Sequence, residues 1–280
     1  MSNKHEAYFK SHDNHRLYYE VHQPAKPLAS LIIVHGLGEH IGRYQNVINY
    51  LKEQYNIYLY DQRGHGRSDG VRFHIQDFSH YVNDLHEFVN LVTKKHPKQK
   101  TYLLGHSMGG QVVLNYLGQH PRTNLKGFIT SSPNIKVKMK INPIKRKLVN
   151  YFAGYLPKFK LPNQIPTKWI CRDKEVVKAY KHDPLVGKWI TMQLASELIA
   201  NQEHLLNEAN KIKIPALMLH AGDDLICDKQ GSIDFFDQLS SRDKDLKIYK
   251  GMYHEIFNEI DKEQVLAELA SWIKKRSLNS

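Results

Sequence analysis

Eight short apolar runs punctuate the chain, at residues 7–10, 16–22, 31–34, 57–60, 102–104, 127–130, 216–219 and 246–249. The inner runs are continuous, not alternating. That pattern belongs to strands buried on both faces, as in a parallel sheet. Helical patterns lie between them. In residues 77–95, Phe78, Tyr81, Val82, Leu85, Val89 and Val92 recur at three- and four-residue steps and form one apolar stripe. Lys94, Lys95 and His96, then Pro97, mark its end. Further helices are predicted over residues 107–119 and 262–275. Strand alternating with helix predicts an α/β fold: an eight-stranded, mostly parallel sheet with helices on both faces.

The rhythm breaks at Pro133 and resumes at Ile214-Pro215-Ala216. The intervening stretch offers helical segments and prolines but no convincing strand. The expected organisation is a core of residues 1–133, a mainly helical cap or lid at 134–213, and the rest of the core at 214–280. A chain of 280 residues can bury such a core without disulfide or metal staples.

Gly105-His106-Ser107-Met108-Gly109-Gly110 follows one apolar strand and opens a helix. This is G-x-S-x-G in the strand–turn–helix setting it requires. The sharp turn exposes the Ser107 oxygen, and the helix start turns N–H groups and positive dipole toward a developing oxyanion. A serine hydroxyl needs a base, and the base needs an orienting acid. His254 follows the last strand. Asp223, Asp224 and Asp228 follow the strand before it, and spacing alone does not choose among them. Asp228 is placed to cap the next helix. The oxyanion donors expected are the N–H groups of Met108 and of Leu37, in the loop His35-Gly36-Leu37-Gly38-Glu39-His40. Gly36-x-Gly38 also imitates a dinucleotide-binding turn. However, the third glycine would fall at Ile41, so that reading fails. Ser68, in Asp61-Gln62-Arg63-Gly64-His65-Gly66-Arg67-Ser68, lacks the motif and reads as part of a tight structural turn.

Composition narrows the picture. The net charge is +12, and residues 135–188 hold 14 basic against three acidic residues, a net of +11. Such a segment suits an anionic surface; no helix-turn-helix, zinc-finger or RNP pattern points to nucleic acid. Cys171 and Cys227 make no disulfide framework, and a reducing, cytoplasmic setting is expected. The polar start carries no signal-peptide pattern, and no run is long enough to span a membrane. Seventeen histidines raise the question of a metal, but the close pair His12 and His15 lacks a third ligand at metal spacing. Neither metal nor cofactor is expected.

Taken together, His35–Tyr44 (H-G-L-G-E-H-I-G-R-Y), Asp61–Ser68, Gly105–Gly110 and the Asp224…His254 pair resemble the monoacylglycerol lipase/lysophospholipase branch of the α/β-hydrolases. The resemblance covers nearly the whole chain and is weakest over residues 134–201. It implies Asp224 as the acid, through the segment Asp224-Leu225-Ile226-Cys227-Asp228. It implies that Glu39 and Arg43 help hold the substrate's glycerol end. It also exposes a departure: Phe257 replaces a polar histidine of the family. The cap residues Tyr151, Phe152, Tyr155, Leu156, Phe159 and Trp169 would suit an acyl tunnel. The expectation is a serine carboxylester hydrolase acting on a single-chain lipid ester, with peripheral contact to anionic membrane through the basic cap. The rivals are an amide or peptide hydrolase of the same fold, and a non-enzymatic ligand receptor.

Overall fold

The computed structural model describes residues 2–138, 143–163 and 165–278, except the side chains of residues 143, 145 and 146. Strands β1 (Asn3–Lys10), β2 (Arg16–Gln23), β3 (Ala29–Val34), β4 (Tyr55–Tyr60), β5 (Thr101–His106), β6 (Gly127–Ser131), β9 (Ala216–Ala221) and β10 (Lys244–Tyr249) form one sheet. Its order is β1-β2-β4-β3-β5-β6-β9-β10. β2 runs antiparallel to β1 and β4; every other pairing is parallel. All eight expected strands are present.

The continuous apolar runs have a plain cause. Side chains alternate across a strand, and here both faces are covered. Ile32, Val34 and Leu103 point into one hydrophobic cluster with helices α2 (Ser79–Lys95), α3 (Met108–Gln119) and α7 (Lys229–Gln238). Leu31, Ile33 and Leu104 point into the other, with α1 (Gln45–Leu51) and α8 (Lys262–Leu278). Each fully buried Leu or Ile contributes roughly 1.5–3 kcal/mol, so the central strands resist sliding.

Between β6 and β9 lies the insertion: α4 (Pro143–Ala153), β7 (Lys160–Pro162), α5 (Lys174–His182), β8 (Trp189–Thr191) and α6 (Met192–Leu205). The paired strands β7 and β8 were not expected. Each has three residues, too short for an alternation to register. The insertion is tied to the core by backbone: the Gly187 N–H donates to the Gly38 carbonyl at 2.7 Å, and the Thr191 N–H to the Phe73 carbonyl at 3.0 Å. A small cluster of Ile170, Cys171, Tyr180, Val186, Ile226 and Cys227 fills the seam between α5 and the loop after β9.

Candidate active site

β5 ends at His106, α3 begins at Met108, and Ser107 between them has φ 52° and ψ −119°. This left-handed conformation is costly for a non-glycine residue and persists only where the surroundings enforce it. They do so through the flanking glycines. A Cβ at Gly105 would lie 2.5 Å from the Gly109 carbonyl oxygen, and one at Gly109 would lie 2.1 Å from the Val34 carbonyl oxygen. Strand and helix therefore meet backbone to backbone, and only Ser107 carries a side chain outward. The Ser107 N–H donates to Ser131 O at 3.0 Å, pinning the turn to β6.

The loops after β9 and β10 bring Asp224 and His254 together: His254 Nδ1 lies 2.7 Å from Asp224 Oδ2. The other oxygen, Oδ1, accepts the N–H groups of Ile226 and Cys227 at 2.8 and 3.0 Å. His220 lies on its further side, Nε2 3.5 Å from Oδ2. Burial pushes the Asp224 carboxyl up, but the charge of His254 and hydrogen bonds from His220 and His254 outweigh it, holding the group well below the usual carboxylate range. Burial alone would lower His254; Asp224, then Glu255 and Glu39, more than offset this and raise it above its ordinary value. Asp223 is exposed and does not share this site. Asp228 caps α7, accepting the Gln230 N–H at 3.1 Å.

His106 packs against His254 with ring centroids 4.8 Å apart and is held neutral, chiefly by burial. Met108 opens α3, so its N–H has no partner within the helix. Leu37 sits in the loop after β3, between Gly36 and Gly38, and Gly38 takes φ 71°. A Cβ at Gly36 would lie 3.2 Å from Ser107 Cβ, so this loop borders the serine directly.

Glu39 and Arg43 also reach the site, though neither stands free. Glu39 Oε1 accepts the Gly36 N–H at 2.5 Å and the Tyr44 hydroxyl at 2.8 Å. Burial, then the charge of Glu255, pushes its carboxyl up to about 7. Arg43 donates to Glu255 Oε2 at 2.5 Å and lies over the Tyr180 ring at 5.1 Å. Its Nε is buried without a partner among the described residues. Glu39, Arg43, Tyr44, His106, Glu255, Phe257 and Asn258 enclose a cavity of about 10 Å³, room for about one water-sized group. Glu255 escaped sequence analysis; its only signal was an acid directly after the candidate base.

Elsewhere the candidates separate. Ser68 Oγ donates to the Asp61 carbonyl at 2.5 Å and accepts the Tyr18 N–H at 2.9 Å, a structural role in the expected tight turn. Cys227 is buried, its Sγ 3.8 Å from Asn134 Oδ1, with its thiol pushed well up by burial. Tyr151, Tyr155, Leu156 and Phe159 are exposed, which corrects their expected place along an acyl tunnel. Lys145 and Arg146, part of the basic cap, have side chains outside the described residues. Among the described residues, one group has metal-ligand geometry, His12, Asp13 and Asp84. Both its carboxylates are already engaged by the Arg63 guanidinium at 2.6–2.9 Å.

A strained serine at a strand end, with a carboxylate-oriented imidazole whose ring packs on the adjoining His106, is the arrangement of a serine hydrolase of the α/β-hydrolase fold. Residues 25–261 match the family profile described as "Serine aminopeptidase, S33". A monoacylglycerol lipase of Mycolicibacterium smegmatis is 33% identical over 262 residues, 92% of this chain and 92% of the relative. An uncharacterised abhydrolase domain-containing protein of Dictyostelium discoideum is 35% identical over 257 residues, and the chain spans 27% of its length. The crystal structure of Paleococcus ferrophilus monoacylglycerol lipase superposes with a TM-score of 0.84 at 30% identity, covering 93% of this chain and 99% of that one. The chain belongs to this family, in its monoacylglycerol lipase-like branch, and is a serine esterase of that type.

Proposed function

We propose that the protein hydrolyses single-chain lipid esters, of monoacylglycerol or lysophospholipid type, through an acyl-enzyme. The observation that carries this is the Asp224–His254 pair set at the strand ends beside the strained Ser107 turn. Ser107 Oγ attacks the ester carbonyl while His254 takes its proton. The Leu37 and Met108 N–H groups hold the oxyanion. His254 returns the proton to the leaving alcohol, then draws one from the water that releases the acid. Asp224 holds His254 in the working tautomer and stabilises the imidazolium. No step requires a cofactor or metal.

Glu39 and Arg43 border the leaving-alcohol end. With Arg43 neutralised by Glu255, this end favours an uncharged polar head group. An amide hydrolase would use acids such as Glu39 and Glu255 to hold an amine, but here the Arg43 pairing satisfies Glu255.

Residues 134–213 act as the cap. Among the described residues, no helix is long and apolar enough to cross a membrane. Contact with lipid is peripheral in this reading: Ile144, Tyr151 and Tyr155 are 63–71% exposed within the basic segment, apolar groups beside lysines. The two buried free cysteines support a cytoplasmic setting.

The test is a turnover panel: p-nitrophenyl esters and monoacylglycerols of graded chain length, beside aminoacyl amides. Ester turnover that rises with acyl length supports the reading. Amide turnover exceeding ester turnover overturns it.

A further inference from the structure

A cavity of about 560 Å³ opens between α5 and the loop that carries His254. Lys168, Lys174, Lys178, Lys181 and His182 line it, and no acidic side chain does. Among the described residues, none of the four lysines has a carboxylate within ion-pair distance. Lys174, Lys178 and Lys181 stand at i, i+4 and i+7 of α5 and so share one helix face. Like charges at that spacing destabilise a helix. The helix cannot rotate to disperse them, because Tyr180 on its other side is buried against the Ile170–Cys171 and Ile226–Cys227 cluster. The row of exposed lysines thus stays on the cavity face, where an anion would relieve its repulsion.

The walls of this cavity are also tied to the catalytic loop. Arg172, at its edge, donates from its N–H to Glu259 Oε1 at 3.1 Å and from Nε to Oε2 at 2.9 Å. Glu259 Oε1 in turn accepts the N–H of Tyr253, a cavity residue that directly precedes His254, at 2.9 Å. The Glu255 N–H, on the other side of His254, donates to the Ile170 carbonyl at 2.7 Å.

We propose that this cavity binds a phosphate-bearing group and that its occupancy is felt at His254. A phosphate offers several charged acceptor oxygens to convergent ammonium donors, and Val177 and Tyr253 supply apolar wall for whatever carries it. The phosphate comes either from the head groups of an anionic bilayer or from a soluble phosphorylated compound. The site goes beyond the ester-hydrolase reading, and its binding arm needs no turnover.

The full chain is titrated with inorganic pyrophosphate by calorimetry, and sedimented with phosphatidylcholine vesicles with and without phosphatidic acid. Two triple variants are compared: Lys174→Gln/Lys178→Gln/Lys181→Gln in the cavity, and Lys94→Gln/Lys95→Gln/Lys98→Gln, which removes the same charge from exposed positions at the end of α2. One saturable site is expected, weakened about tenfold or more by the cavity triple and less than about twofold by the other. Saturation by pyrophosphate in solution assigns the soluble source. Binding confined to phosphatidic acid vesicles and lost in the cavity triple assigns the head group. Equal losses in the two triples, or no binding of folded wild type to either probe, overturns the site. Hydrolysis of a short soluble ester should change at least about twofold on saturation in wild type and stay constant in the cavity triple. An unchanged rate at full occupancy overturns the link to His254.

Discussion

The strand-end loops and the insertion solve opposite problems. Around Asp224 every polar atom has a partner: two backbone N–H groups, His254 and His220 share one carboxylate that is 3% exposed. On α5, Lys174, Lys178 and Lys181 have no carboxylate within ion-pair distance among the described residues, and Tyr151 and Tyr155 face outward. The first arrangement is preorganised for charge that develops during a reaction. The second leaves charge and apolar surface open to solvent, where something outside the chain can cover it. The groups of the proposed chemistry thus lie in the core, and the surface left open to outside partners lies in the insertion.

The largest effects should come from the core. Ser107→Ala is expected to lose about 10³-fold or more in turnover with thermal stability nearly intact, because little of the hydroxyl's contact is with the core. A fluorophosphonate probe should label wild type and leave the variant unlabelled; persistent labelling would send the search to Ser68. Asp224→Asn should cost about 10³–10⁴-fold by leaving His254 in the wrong tautomer, while exposed Asp223→Asn costs less than about threefold. A reversed ranking would put the acid elsewhere.

Glu255→Gln tests the border between the two regions. His254 must be neutral to act as base, and its raised value means activity falls as pH drops through a point above the ordinary 6.5. Removing the Glu255 charge lowers His254, so the acid limb of kcat/KM should move to lower pH. Arg43 would lose its charged partner, and about 3–5 kcal/mol of stability with it. An acid limb that stays in place would show that Glu255 does not act on the base.

In the insertion, charge reversal at Lys145, Arg146 and Lys147 should weaken binding to anionic vesicles about tenfold at low salt and change hydrolysis of a short soluble ester less than about twofold. Equal binding of wild type to neutral and anionic vesicles would return these residues to the role of solvated surface. The smallest effect is expected at Cys227. Its thiol is buried and pushed well up, so thiol reagents should modify it far more slowly than the unfolded chain. Rapid labelling of native protein, followed by mass spectrometry, would show that the seam opens.

The sheet was legible because strands buried on both faces write themselves as unbroken apolar runs, as in Leu31–Val34. Ser107 and His254 could be singled out as candidates because both follow such runs. Spacing alone left the acid open, since Asp223 and Asp224 are chemically identical neighbours; the resemblance implied Asp224, and that is the one the fold turns inward. β7 and β8 fell below the length at which a period shows. The Arg43–Glu255 pair spans 212 positions, and no local pattern encodes a contact that remote. The aromatics of the insertion show the limit of composition: it supplied their apolar character but not the side on which they lie.

β6 pairs with β9 across the whole insertion, from Phe128–Ala216 to Ser131–Leu219. During synthesis the serine turn, with β3, β5 and α3, emerges complete before the acid and base have been made. Closing the sheet over so long an intervening segment costs only slightly more entropy than closing a loop half its length, about 0.6 kcal/mol. Docking of β9 and β10 is therefore the event that brings Asp224 and His254 to the strand ends where Ser107 lies. In the proposed mechanism, a nascent or truncated chain that stops short of it carries a nucleophile without a base, and reactivity arrives only when the last strands join the sheet.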